Sequence, residues 1–405
     1  MSAGGILRSP KEGRIDPTLA SRVTSPAAVR GPLDGSVVSS VAILSSIGIV
    51  MVYSATAHLE PASVVPAFLW RHLSGVVAGV VLGLLVFRMP LERVRRLAIP
   101  FWAVSMLLLA ATLVVGTSVK GASRWLTIPG LGSFQPSEFA KLATVLAVSA
   151  ELARQSSRSA ADPRRLLVPL GLAALPALLL VQQPDLGSAV VIVALTGLLV
   201  LLAGAPARLF VIPGLAAVAG VAGYVLWKPH AAARISGFLT PWDLSQREGF
   251  QLVQSFVAFG RGGLLGTGLG AGRQKLHYLP EAHTDFILAV VAEELGLIGV
   301  MAVLGAFVAL LVAGVRIALH ARSRFALFVA AGTTLLLTFP ACMNAMVVTG
   351  LLPTKGLALP FLSYGRSNML VCIVAVALLL GIGCREGAPD PPKVGAAERR
   401  GLIGT

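Results

Sequence analysis

Charged residues are few in this chain of 405: Asp, Glu, Lys and Arg make up only 13% of it. A soluble domain uses about 25% to keep its surface wet. Soluble nucleotide-binding folds, β-sandwiches and disordered scaffolds are excluded on that ground. Cysteine is equally sparse. The three present, Cys342, Cys372 and Cys384, lie in or beside apolar runs without metal-ligand spacing, so neither a disulfide framework nor a cysteine metal site is supported. Nucleotide-binding loops are missing too. Seven glycines fall from Gly260 to Gly272, yet neither GxGxxG nor GxxxxGK(S/T) occurs. An ATP-driven pump has no motif to stand on. Segments of alternating polarity are absent, which argues against an outer-membrane barrel.

What fills the chain is apolar: 56% of residues, with a mean hydropathy of +0.83. The apolar residues gather in ten blocks, near 37–56, 72–88, 98–117, 137–153, 166–182, 187–204, 208–227, 285–317, 324–348 and 367–384. A membrane-spanning helix needs about 17–25 such residues. The pattern predicts an all-α polytopic membrane protein of ten transmembrane helices. The 285–317 block is too long for one simple span and is expected to start above the membrane or run oblique. Residues 1–35 read as a disordered basic tail, 36–385 as the membrane domain and 386–405 as a second disordered tail. Basic residues outnumber acidic ones 33 to 18. With the N-terminus in the cytoplasm, 21 of the 33 fall on the inner side, as the positive-inside rule asks. Both termini are therefore expected in the cytoplasm. The stretch of about 228–284, between spans seven and eight, becomes a long extracytoplasmic loop, expected to be partly ordered. The basic excess is spent on orientation and calls for no nucleic acid. Gly75, Gly79 and Gly83 form a stripe that suits close helix packing.

Several polar constellations fall at span ends on the expected outer side. Glu281, His283, Thr284 and Asp285 close the long loop and open span eight. Asp285 reads equally as a helix cap or as a general base, because burial beside apolar wall raises a carboxylate's pKa towards neutrality. Glu138 and Lys141 stand at i and i+3 on one helix face, either as an ion pair hiding from lipid or as the organisers of a cavity. Lys120 and Arg124 place two cations beside Trp125, against the inside bias, and suggest an anionic ligand. Asp185 reads as a turn or cap residue. The glycine run suits tight backbone turns. Pro353, Lys355, Pro360 and Ser363 lie in a stretch that reads as irregular backbone lining a cavity. Together these groups describe a site open to the outer leaflet for an anionic amphiphile.

The same segments resemble the SEDS family (shape, elongation, division and sporulation) of bacterial cell-wall synthesis. The resemblance is carried by KGASRWL at 120–126, FQPSEFAKLA at 134–143, QPDLGSA at 183–189, LPEAHTDFI at 279–287, EELGLIG at 293–299, TGLLPTKG at 349–356 and LPFLSYG at 359–365. It leans towards the family's division branch. It implies a ten-span peptidoglycan glycosyltransferase in the bacterial cytoplasmic membrane, polymerising lipid II at the outer face during cell division. A class B penicillin-binding protein transpeptidase and other division-complex membrane proteins are the implied partners. The family's essential carboxylate maps onto Asp285, its cavity pair onto Glu138 and Lys141, and its basic loop residue onto Arg124. Lys120, His283, Lys355 and Ser363 join them as substrate or cavity residues. No cofactor is implied outright; a divalent cation such as Mg2+ could share the diphosphate charge, although no ligand cluster demands one.

Three positions depart from the family pattern. Arg366-Ser367-Asn368 replaces the usual Gly-Ser-Ser, His277 stands where Glu is common, and Pro340 where Gln is common. Arg366 reads as a gained phosphate contact or as an interface arginine. Two other functions are distinguishable. A flippase for lipid-linked precursor needs polar residues deep in several spans, and few are present. A non-catalytic division scaffold would tolerate loss of Asp285.

Overall fold

The computed structural model describes residues 31–59, 65–119, 122–128, 132–155, 163–227 and 229–386. The expected tails lie almost wholly outside the described residues. At the inner edge of the first, Gly31 donates its N–H to the Cys384 carbonyl at 2.8 Å, and Asp34 caps the first helix.

The chain is mostly helical, and each apolar block coincides with a helix. These are α1 (Gly35–Thr56), α2 (Ala67–Arg88), α3 (Leu91–Val115), α4 (Pro136–Arg154), α5 (Pro163–Gln182), α6 (Leu186–Leu202), α7 (Val211–Trp227), α10 (Ile287–Leu319), α11 (Arg324–Val348) and α12 (Arg366–Glu386). Among the described residues seven helices are long and apolar enough to cross a membrane: α1, α2, α3, α5, α10, α11 and α12. Side-chain caps fix several starts. Asp34 accepts from the N–H groups of Ser36 and Val37, Asp185 from Ser188, and Ser323 from Ala326, satisfying donors that an unbegun helix leaves open.

Two parts of the sequence reading need correction. The chain is not wholly helical: β1 (Thr117–Val119), β2 (Ala122–Ile128) and β3 (Gly132–Phe134) form an antiparallel sheet in the order β1-β2-β3. Val, Thr, Trp and Ile recur here in runs too short for a helix, and they suit a pleated ribbon. The stretch read as a long loop also holds α8 (Pro229–Leu239) and α9 (Phe250–Gly262). Each has a polar face too short and mixed to register as an apolar block.

Packing explains which helix lies where. The α2 glycine stripe faces α12: a Cβ on Gly75 would stand 2.9 Å from the Arg366 Cα, and one on Gly79 2.9 Å from Ile373. Such an approach needs residues without side chains. Helix α4 sits innermost, with Leu142, Val145, Ala147 and Leu152 buried against its neighbours. Helices α1 and α10 are fastened at both ends, Asp34 to Arg316 at 2.7 Å and Ser54 to Glu294 at 2.8 Å.

Helix α10 is broken at Gly296, whose φ of 67° and ψ of −164° no side chain tolerates well. The break exposes carbonyls and amides that the glycine run then satisfies. Thr267 and Gly268 donate to Glu293 and Glu294 carbonyls at 2.9 and 3.1 Å, while Leu297 and Ile298 donate to Gly263 and Leu264 at 2.9 and 3.2 Å. The overlong eighth block is thus two helical pieces, 287–295 and 297–319, latched by a loop.

Candidate active site

Asp285 lies two residues before the start of α10 and is half-buried. Its turn is held on every side. The Asn344 amide donates to the carbonyls of Asp285 at 2.7 Å and Leu357 at 2.8 Å. Ser363 donates its hydroxyl to the Thr284 carbonyl at 2.5 Å and accepts the Leu359 N–H at 2.7 Å. The Tyr364 N–H donates to the His283 carbonyl at 2.9 Å. The Tyr364, His283 and Phe68 rings pack together, with Phe68 and Tyr364 centroids 5.2 Å apart. A Cβ on Gly356 would stand 2.9 Å from the Asp285 Oδ2, so only glycine lets the 353–359 backbone lie against this carboxylate.

The backbone here is strained. Glu281 and Phe361 adopt φ of 58° and 65°, a conformation costing roughly 1–3 kcal/mol and found most often at functional sites.

Lys355 precedes Gly356 and is half-buried. Its carbonyl accepts the Leu357 N–H at 3.0 Å, but its ammonium has no hydrogen-bond or ion-pair partner among the described residues, and burial holds it below the usual lysine pKa. A desolvated cation beside a carboxylate-bearing turn is a place for an anion.

Glu138 and Lys141 are 2.8 Å apart on the first turns of α4, each side chain 8% exposed. They line a cavity with Pro340, Ala358, Pro360 and Asn368, with about 10 Å3 of room for a water's centre. That is the space of a single water. Residues 356–363 run from the Asp285 turn to this cavity wall. Arg124, half-buried on β2, donates to the carbonyls of Gln183, at 3.2 Å, and Pro184. Those two bonds leave part of its five-donor fork for other groups. Lys120 lies outside the described residues.

The structure therefore gathers Asp285, His283, Ser363 and the Lys355–Gly356 backbone at one turn, joins Glu138 and Lys141 to it through one segment, and sets Arg124 against the α5–α6 turn. Ser363 spends its hydroxyl on the main chain and shapes the turn. The Arg366 guanidinium lies over Gly132 and donates to the Ser133 carbonyl at 2.9 Å. Ser367 accepts the Gln135 N–H at 2.9 Å. These two residues hold β3 on the start of α12.

Sequence reasoning missed one cluster. Glu293 and Glu294 are wholly buried at the α10 break. Glu294 accepts from Lys275 at 2.6 Å, from Ser54 at 2.8 Å and from the Gly270 N–H at 2.9 Å. Glu293 accepts from the Arg273 and Gln274 N–H groups, both at 3.0 Å, and faces Arg261 at 3.4 Å. The available signal was two adjacent acids inside an apolar block, an arrangement that survives only with partners.

Residues 36–386 match the FtsW/RodA/SpoVE cell cycle protein family. The chain is 41% identical over 346 residues to the probable peptidoglycan glycosyltransferase FtsW of Trichlorobacter lovleyi, covering 84% of this chain and 91% of that one. It is 39% identical over 344 residues to the protein of the same name from Escherichia coli O6:H1, covering 84% and 83%. Among solved structures, a chain of a peptidoglycan synthase complex that coordinates polymerization and crosslinking superposes with a TM-score of 0.71 at 30% identity, over 88% of this chain and 99% of that one. The rod shape determining protein RodA of Thermus thermophilus gives 0.65 at 28% identity, over 88% and 98%. With a family model spanning all but the two ends of the chain, this protein belongs to the FtsW/RodA/SpoVE cell cycle protein family.

Proposed function

We propose that the protein is a peptidoglycan glycosyltransferase that polymerises lipid II at the outer face of the bacterial cytoplasmic membrane during cell division. In this reading all ten apolar helices span the bilayer, both termini are cytoplasmic, and the Asp285 turn meets the outer leaflet. The observation that carries it is a half-buried carboxylate lying against Gly356, with a desolvated lysine as the next residue in the chain, its ammonium without a partner among the described residues. Asp285 takes the proton from the acceptor sugar hydroxyl. The oxygen then attacks the anomeric carbon of the donor with inversion, and the bond to undecaprenyl diphosphate breaks. Lys355, the free part of the Arg124 fork and Lys120 receive the leaving diphosphate, whose charge grows as the bond breaks. Glu138 and Lys141 keep the adjoining cavity polar.

Among the described residues no three His, Cys, Asp or Glu side chains come together. A divalent cation that shares the diphosphate charge would take its remaining ligands from the diphosphate oxygens and water. The likeness to a chain of a synthase complex supports a class B penicillin-binding protein as partner; other division-complex membrane proteins would join it. The deciding experiment gives labelled lipid II to the purified protein with its cognate transpeptidase and scores glycan polymer. Polymer from the wild type, lost in Asp285→Asn, is expected. Full polymerisation by the Asn variant would remove Asp285 from the chemistry.

A further inference from the structure

We infer that Glu294 and Lys275 are positioning residues for Asp285, acting through the strap of residues 275–285; this rests on the glycosyltransferase reading. The strap leaves the ion pair at Lys275 and ends at Asp285, where the chain enters α10. Both of its ends therefore belong to the same half-helix, 287–295, one through the covalent chain and one through Glu294.

Between those ends there is little slack. A wide turn, Gln274–Tyr278, closes with the Leu279 N–H on the Gln274 carbonyl at 2.7 Å. Leu279 and Ala282 are buried in the core. The N–H groups of Thr284 and Phe286 return to the Glu281 carbonyl at 3.1 and 3.2 Å. A displacement of Lys275 is thus passed to Asp285.

The ion pair specifies position in a way an apolar contact would not. An ammonium has three donors, and all three of Lys275 are matched: Glu294 at 2.6 Å, Ser54 at 2.6 Å and the Gly270 carbonyl at 2.9 Å. One placement of the strap satisfies them together. Replacing a buried ion pair with apolar residues is often neutral for stability, so stability alone does not account for three charge-assisted bonds meeting here. Glu293 sets the residues just before in the same way, through the Arg273 and Gln274 amides. Ser54 is the contribution of α1, so the position of that helix also enters the strap.

The test uses the full-length protein in lipid nanodiscs with its transpeptidase. Glu294→Gln, Lys275→Met and the double variant are compared for kcat and KM on labelled lipid II, for unfolding midpoint, and for amide hydrogen exchange over 275–286. A shift of the carboxylate by about 1 Å is expected to lower kcat about 10²-fold with KM nearly unchanged. Strap amides exchange faster, while those of α4 do not change. The double variant, which strands no charge, recovers the midpoint but not kcat, and it serves if either single variant fails to fold. Parallel recovery of midpoint and kcat, or wild-type kcat in any folded variant, overturns the inference. Should the wild type make no polymer, the glycosyltransferase reading falls. Exchange in the double variant then decides the positioning claim alone, an unchanged strap refuting it.

Discussion

Neutralising one half of the Glu138–Lys141 pair is expected to do more harm than neutralising both. The two groups are 2.8 Å apart with side chains only 8% exposed, beside a cavity with about 10 Å3 for a water's centre. A charge stranded there has at most one water to solvate it. Removing one partner of a buried pair costs about 3–5 kcal/mol, while replacing both with neutral groups of similar volume is often without penalty. Glu138→Gln and Lys141→Met should each lose about 3–5 kcal/mol, and the double variant should return close to wild type. A double-mutant cycle on unfolding in detergent then reads a coupling of about 6–10 kcal/mol, the sum of the two single losses. Polymerisation should not return with stability, because the cavity wall has lost its polarity. Single variants within about 0.5 kcal/mol of wild type, the range of ordinary surface changes, would mean that solvent reaches the pair and that the desolvation argument is wrong.

The remaining predictions concern the Asp285 turn, the break in α10 and the start of α12. Asp285→Asn should lower polymerisation about 10²–10⁴-fold with folding intact, the usual loss for a positioned acid–base group; unaltered turnover refutes it. Lys355→Met should raise KM for lipid II about 10-fold or more, as losing a charge-assisted hydrogen bond does, without lowering the unfolding midpoint, since it removes a desolvated charge. The wild-type penalty at Lys355 is full below its depressed folded pKa. It is relieved as pH rises from there towards the unfolded value of about 10.4, so stability should climb over that window and the Met variant should lack the climb. Gly296→Ala should cost about 1–3 kcal/mol from backbone strain alone, before its Cβ meets the Leu264 carbonyl carbon at 2.7 Å; wild-type yield and midpoint would deny the break. Arg366→Gly should speed amide exchange at 132–135 and leave KM alone, whereas a raised KM would place this arginine on the diphosphate.

Hydropathy revealed the helices because each carries a long apolar run, so α1 to α7 and α10 to α12 stand out as blocks. It could not reveal α8, α9 or the small sheet. Their residues are chosen for contact with the bundle on one side only, and short half-buried segments have no long-range signature. The Asp285 turn was legible in part, since an acid at the mouth of an apolar helix is unusual in itself. The bonds that hold it were not: the Asn344 amide and Ser363 hydroxyl donate to main-chain carbonyls and Tyr364 donates its own N–H, and no side-chain pattern records such partners. Glu293 and Glu294 show the limit most clearly. Their excess over a simple span was visible in the length of the 285–317 block, and two buried acids demand partners. Yet those partners are Lys275 and Ser54, the latter far away on α1, Arg261, and the N–H groups of Gly270, Arg273 and Gln274, and a glycine run that suggests tight turns does not say what those turns will bind. The glycines at 266 and 268, with φ of 81° and 101°, let the loop turn its N–H groups onto a broken helix, so a stretch without an apolar block is the one that fastens the two pieces of α10 at their break.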